Sequence, residues 1–196
     1  MTAWLGSIAL LAFVMAATPG PNNLLFAAAG ARNGYVRTIP MLAGMLGGFV
    51  GLVGAGLLGV GGVVEAVPGS HLVLTAGASA YMGYLAIGLW RSSPPTGGGD
   101  APLMTWWQMG LFQVANPKTW MAVLTFVTGK LGPSSPGGAL VDVLGAVCFL
   151  AVVCASASLW TVFGAALRTH LSPGSWRRAM RVMAAAAVLS IPTLWW

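Results

Sequence analysis

The chain has 196 residues, of which 57 % are hydrophobic and only 6 % charged, whereas a soluble domain carries about 25 % charged residues. That is too little polar surface to clothe a water-soluble globule. The formal net charge of +6 would suggest nucleic acid in a soluble protein, but here the positive residues fall in short stretches between apolar runs. Membrane topology and anionic lipid account for them, and no nucleic-acid partner is expected.

Met1–Ala31, Thr38–Val64, Ala66–Trp90 and Val143–Leu167 contain no Asp, Glu, Lys or Arg. Each run is long enough to cross hydrocarbon. Such runs lack the period-two alternation of barrel strands and satisfy their backbone hydrogen bonds internally as helices. The predicted fold class is an all-α integral membrane protein, with one transmembrane domain over residues 1–196 and the lipid bilayer as its surroundings. Six spans fit the punctuation, at about 3–31, 38–64, 71–90, 104–129, 138–167 and 179–196. The first run lacks a cationic leader and a small-residue cleavage site, so it reads as a retained helix and not as a secretory signal.

Within the first span, Thr18-Pro19-Gly20-Pro21-Asn22-Asn23 interrupts the apolar run. Two prolines remove two donors and clash with preceding carbonyls. A broken helix is tolerable in lipid only where protein or a water-filled cavity covers it, so this segment should face inward. The resumed half-helix would offer N–H groups and a positive dipole to a carboxylate, with Asn22 or Asn23 for orientation. The alternative for Asn22 is a structural helix cap.

The second span carries Gly44, Gly47, Gly48, Gly51, Gly54, Gly56 and Gly59. Small residues at four-residue spacing let helices approach closely in lipid. Packing within one protomer is the main reading; a homo-oligomer face or a lining of the solute path is the alternative. Ser92-Ser93-Pro94-Pro95-Thr96-Gly97-Gly98-Gly99-Asp100 cannot continue a helix and divides the chain into two triplets, about 1–92 and 104–196.

The fourth span has its own break at Ala115-Asn116-Pro117-Lys118-Thr119. Paired interrupted helices in corresponding positions of two halves point to a transport site. Lys118 could hold a carboxylate or change protonation; otherwise it snorkels to the interface or bonds helix-end carbonyls. Trp120 lines a cavity or packs toward lipid. Pro19, Gly20, Pro21, Asn22, Asn116, Pro117 and Lys118 are thus the candidate site residues.

In the fifth span, Ser156, Ser158 and Thr161 form a mild polar stripe of hydroxyls expected to bond back to their own helix. Cys148 and Cys154 point to different faces, so neither a disulfide nor a shared metal is expected. Arg32 and Arg37, Arg91, and Arg168, Arg177, Arg178 and Arg181 mark alternate connections. The positive-inside rule places these in the cytoplasm and both termini outside. With three spans per half, the halves would form an inverted repeat. Trp4, Trp90, Trp106, Trp107, Trp176, Trp195 and Trp196 fall at span ends, as interfacial anchors do.

The quoted residues carry a family likeness. Thr18-Pro19-Gly20-Pro21-Asn22 with Gly30 and Gly34, Gly44 and Gly48, the stretch Gly77–Arg91, and Gly110 with Asn116-Pro117-Lys118 resemble the ordered motifs of the LysE/RhtB family of amino-acid exporters. The likeness covers most of residues 1–125. Thr38 and Ala184 stand where many members have glycine, and Asn22 stands where some have aspartate. The resemblance implies efflux of amino acids or close derivatives, driven by the proton gradient or membrane potential, with Asn22, Asn116 and Lys118 near the pathway.

No catalytic constellation is present: H-E-x-x-H, G-x-S-x-G, a Walker loop and C-x-x-C are all missing from the sequence, and neither an enzyme nor a cofactor is expected. His71, His170, Glu65, Asp100 and Asp142 lie near span ends or in loops, as solvated groups do, although Asp142 could take part in proton coupling. A metal-ion exporter of similar architecture would need ligands in the spans. A thiol–disulfide carrier would need cysteines on separate helices. A non-transporting membrane assembly subunit is the third alternative.

Overall fold

A computed structural model describes residues 1–17, 20–59, 69–91, 104–131, 135–170, 172–192 and 195. Every regular element among them is a helix: α1 (Thr2–Ala17), α2 (Pro21–Leu57), α3 (Ser70–Trp90), α4 (Trp106–Ala115), α5 (Pro117–Lys130), α6 (Gly138–His170) and α7 (Pro173–Ser190). Gly138–Leu167 is long and apolar enough to cross a membrane; Pro21–Leu57 is so by length and composition but is divided at Gly34, and Thr2–Ala17 is a shorter apolar helix. Large apolar side chains line the outside, Leu140 and Leu159 among them, while Gln113, Asn116, Thr119 and Thr161 are buried. This inside-out distribution suits hydrocarbon, where polar groups need protein partners.

The helix α2 is two limbs. Gly34 has φ 75° and ψ 175°, a left-handed backbone that glycine adopts without steric cost. Pro21, Asn22 and Asn23 line the same cavity as Met45 and Phe49, whereas in a straight helix residues 22 and 47 would be about 37 Å apart. The chain therefore doubles back at Gly34. The stretch expected as a connection between about 32 and 37 is reduced to this turn, steadied by Thr38 Oγ1 donating to the Gly34 carbonyl at 2.8 Å.

α6 is the central post. α1 runs parallel to it, with Trp4 against Gly145 and Ser156 Oγ donating to the Ala16 carbonyl at 2.9 Å. Farther along, Gly30 meets the backbone of Thr161 and Gly164 meets that of Ala27, so the first limb of α2 continues the course of α1. The second limb returns along α6, where Phe49 faces Phe149 at 6.2 Å, and Phe149 stacks on Phe126 of α5 at 4.5 Å. That limb runs parallel to α4 and α5: Gly44 meets Trp106, Gly48 meets Gly110 and Gln113, and Gly56 meets Val127. α3 packs chiefly against α7.

Several sequence expectations are corrected. The second span was expected to reach 64, but its helix ends at Leu57, where the Leu58 N–H closes on Gly54 and Gly59 takes φ 78°, a left-handed helix stop. The last helix begins at Pro173, before the expected 179, because the Ser172 side chain accepts from Ser175 N and proline fits the first helical position. Arg177, Arg178 and Arg181 therefore sit on the helix and not in a connection. Trp176 is buried and is no interfacial anchor. Thr161 bonds back to Ala157 at 2.8 Å as expected, but Ser156 reaches across to α1 instead. Glu65, Asp100, Trp196 and Thr18-Pro19 lie outside the described residues, as does the region 92–103.

Arg181 lies over the Trp90 ring, 5.1 Å from its centroid, and clasps α7 to the end of α3. Replacing Arg181 by Gln is expected to lower stability by about 0.5–1 kcal/mol, the size of an exposed cation–π contact. Thermal unfolding of the purified variant in detergent measures this, and an unchanged midpoint would remove the clasp.

Candidate functional site: two helix breaks around one cavity

At the first break, Gly20 is extended and Pro21 opens α2, proline being preset for that position. The carbonyl side is closed by two donors: Asn23 Nδ2 reaches the Ala16 oxygen at 2.7 Å and Ser156 Oγ reaches it at 2.9 Å. Asn23 is thus a structural cap.

At the second break, Asn116 is extended and its Oδ1 accepts from Lys118 N at 3.1 Å. Pro117 again fills the first helical position. Trp120 Nε1 donates to the Val114 carbonyl at 2.8 Å, so this indole ties off the end of α4 and does not line the cavity.

The two breaks meet. Lys118 lies over Gly20, where a Cβ would come within 2.9 Å of Nζ and 3.3 Å of Cδ. Asn22 and Gln113 form a reciprocal amide pair: Asn22 Nδ2 donates to Gln113 Oε1 at 2.9 Å, and Gln113 Nε2 donates to Asn22 Oδ1 at 3.2 Å. Gln113 Oε1 also accepts from Thr119 Oγ1 at 3.1 Å, and Nε2 also donates to the Met109 carbonyl at 3.1 Å. One fully buried amide thus joins α2, α4 and α5.

Between the breaks is a cavity of about 40 Å³, room for roughly three waters at 10–15 Å³ each. Gly20, Pro21, Asn22, Asn116 and Lys118 all border it. Pro117 joins Asn116 to Lys118 in the chain, and Pro19 lies outside the described residues. Much of the remaining lining is apolar, with Met15, Met45, Phe49, Phe149 and Val153. α2 and α5 both begin at this cavity with no acidic residue in their first turns, so their partial positive ends lie beside Lys118. Such a place suits an anionic group.

The family model for LysE type translocator matches residues 13–192. The chain belongs to the LysE type translocator family. That family is one of membrane transporters and is not enzymatic. No curated protein and no solved structure matches it.

Two residues of the translocator's polar network escape a reading of the sequence, Thr119, which lines the cavity, and Gln113, which stands behind it. Gln113 is the hub of the polar network, and Thr119 is its third arm. The available signal for Gln113 was its position as a lone amide in the apolar Met109–Ala115 stretch, three residues before the Asn116 break, since a polar group at depth is costly unless partnered. Asp142 does not border the cavity; its Oδ1 is buried without a hydrogen-bond partner among the described residues. Cys148 and Cys154 are free thiols. Among the described residues no three His, Cys, Asp or Glu side chains gather as a metal site would need, and the metal-ion reading gains no support.

Proposed function

We propose that this translocator exports amino acids or close derivatives from the cytoplasm across the plasma membrane, as a secondary transporter working by alternating access. The observation that carries the reading is the convergence of two helix breaks, two half-helix N-termini and Lys118 on one cavity. A solute carboxylate is held by the freed N–H groups and Lys118, the arrangement that discontinuous helices give other transporters. The cavity of about 40 Å³ is too small for an amino acid, so loading requires the breaks to part, first toward one side and then toward the other.

The helix pairing supports six spans in two inverted halves. Span one, α1 with the first limb of α2, lies along span five, α6. Span four, α4 with α5, lies along span two, the second limb of α2. Spans two and five meet through Phe49 and Phe149, and span three meets span six. Exchanging the halves maps the pairing of spans one and five onto that of spans four and two, and the other two pairings onto themselves. Arg32 and Arg37 flank the Gly34 turn and Arg91 follows α3, which by the positive-inside rule puts these ends in the cytoplasm and both termini outside. The proton gradient or membrane potential supplies the driving force.

The test is efflux of labelled amino acids from cells loaded with dipeptides. Selective efflux is expected for the native chain, and Asn22→Ala at matched expression should reduce it about tenfold, equivalent to about 1.4 kcal/mol. Absence of efflux for every amino acid, from protein shown to be folded in the membrane, would overturn the reading.

A further inference from the structure

We infer that the cavity selects amino acids with apolar side chains and turns away those with cationic ones, an inference that rests on the export reading above. Among the described lining residues one side chain is charged, Lys118, and none is a carboxylate. A basic amino acid would bring a second cation into a space already made positive by Lys118 and two helix N-termini. The α-ammonium common to all amino acids travels beside its own carboxylate, so their fields largely cancel at a distance; a side-chain cation several ångströms farther along has no such companion.

Several neutral acceptors among the described residues near the site already hold protein donors. The Ala16 carbonyl takes Asn23 and Ser156, Asn22 Oδ1 takes Gln113, and Asn116 Oδ1 takes Lys118 N. At the Ala16 carbonyl, where both lone pairs are taken, a solute ammonium could bond only by leaving a buried donor unmatched, and the two asparagine oxygens are neutral and offer no countercharge. Apart from Lys118 and the polar groups of the breaks, the cavity lining is apolar, with Met15, Met45, Phe49, Phe149 and Val153. With the carboxylate at Lys118, the solute side chain meets this apolar lining, where apolar burial is favourable and a desolvated cation is not. The methionines add adaptability, because an unbranched thioether fits side chains of differing shape.

The experiment uses purified full-length protein in liposomes loaded separately with labelled leucine, methionine, lysine and arginine, with efflux followed under an imposed proton gradient and membrane potential. Leucine and methionine are expected to leave at least about ten times faster than lysine and arginine. Lysine or arginine efflux at rates comparable to leucine would overturn this selectivity while leaving amino-acid export standing. Absence of efflux for all four, alongside a panel of the remaining amino acids, would overturn the export reading and the selectivity together. In a second arm, Val153→Glu places a carboxylate in the apolar wall. A gain of lysine efflux relative to leucine in folded protein supports the charge argument, and an unchanged ratio counts against it.

Discussion

Gly164→Val is expected to abolish accumulation of folded protein. A Cβ at Gly164 would overlap the Ala27 carbonyl oxygen and come within 2.7 Å of its carbon and 2.9 Å of Ala31 N. These are backbone atoms of a helix and cannot swing aside as a side-chain tip can. Overpacking typically costs about 1–3 kcal/mol when side chains can rearrange; here two helices must separate, and the cost should exceed that range. Gly30 and Gly44 are in the same position, against Thr161 and Trp106. The contrast is Gly47→Ala, where an added Cβ meets nothing within 4 Å and stability should move by no more than about 1 kcal/mol, in the direction of helix propensity. Fluorescence-detected size-exclusion of tagged variants after detergent extraction measures both. A monodisperse Gly164→Val peak at native height would show that α2 and α6 are not held at this distance.

Gln113→Leu should remove transport almost entirely while leaving a folded protein. Leucine nearly matches the volume, but it strips Asn22 and Thr119 of their shared partner. Each buried polar group left unmatched costs about 1–3 kcal/mol, and interhelical hydrogen bonds in membranes average about 0.6 kcal/mol. The loss of stability is therefore a few kcal/mol at most. Transport suffers more, because the amide pair is what aligns the first break with the second. Gln113→Asn, which keeps the amide but shortens the reach, should fall between. Liposome efflux beside thermal unfolding separates the two effects. Native efflux from Gln113→Leu would mean that the pair has no part in the transport cycle.

Both expectations depend on features that the sequence discloses unequally. The breaks at Pro21 and Pro117 are legible because proline leaves the backbone few options, and both sit where the spacing placed them. The glycines of the second span are legible as packing residues only as a group. The structure separates Gly44, Gly48 and Gly56, which face neighbouring helices, from Gly47, Gly51 and Gly54, which face open space. Gly30 and Gly164 are invisible as partners because they stand on helices far apart in the chain. Gln113 escapes for a similar reason: its value lies in reaching Asn22, 91 residues away. The start of α7 is missed because three arginines look like a connection, although Ser172 and Pro173 already signal a helix start.

The two donors on the Ala16 carbonyl have a consequence for coupling. In transporters driven by sodium, unwound carbonyls at a helix break serve as ligands for the ion. Here both lone pairs of that oxygen are occupied, by an asparagine amide and a serine hydroxyl. Sodium would have to evict both before it could bind at this carbonyl, so the Ala16 oxygen is closed to alkali cations. Efflux should run at the same rate when choline replaces sodium on both sides of the membrane.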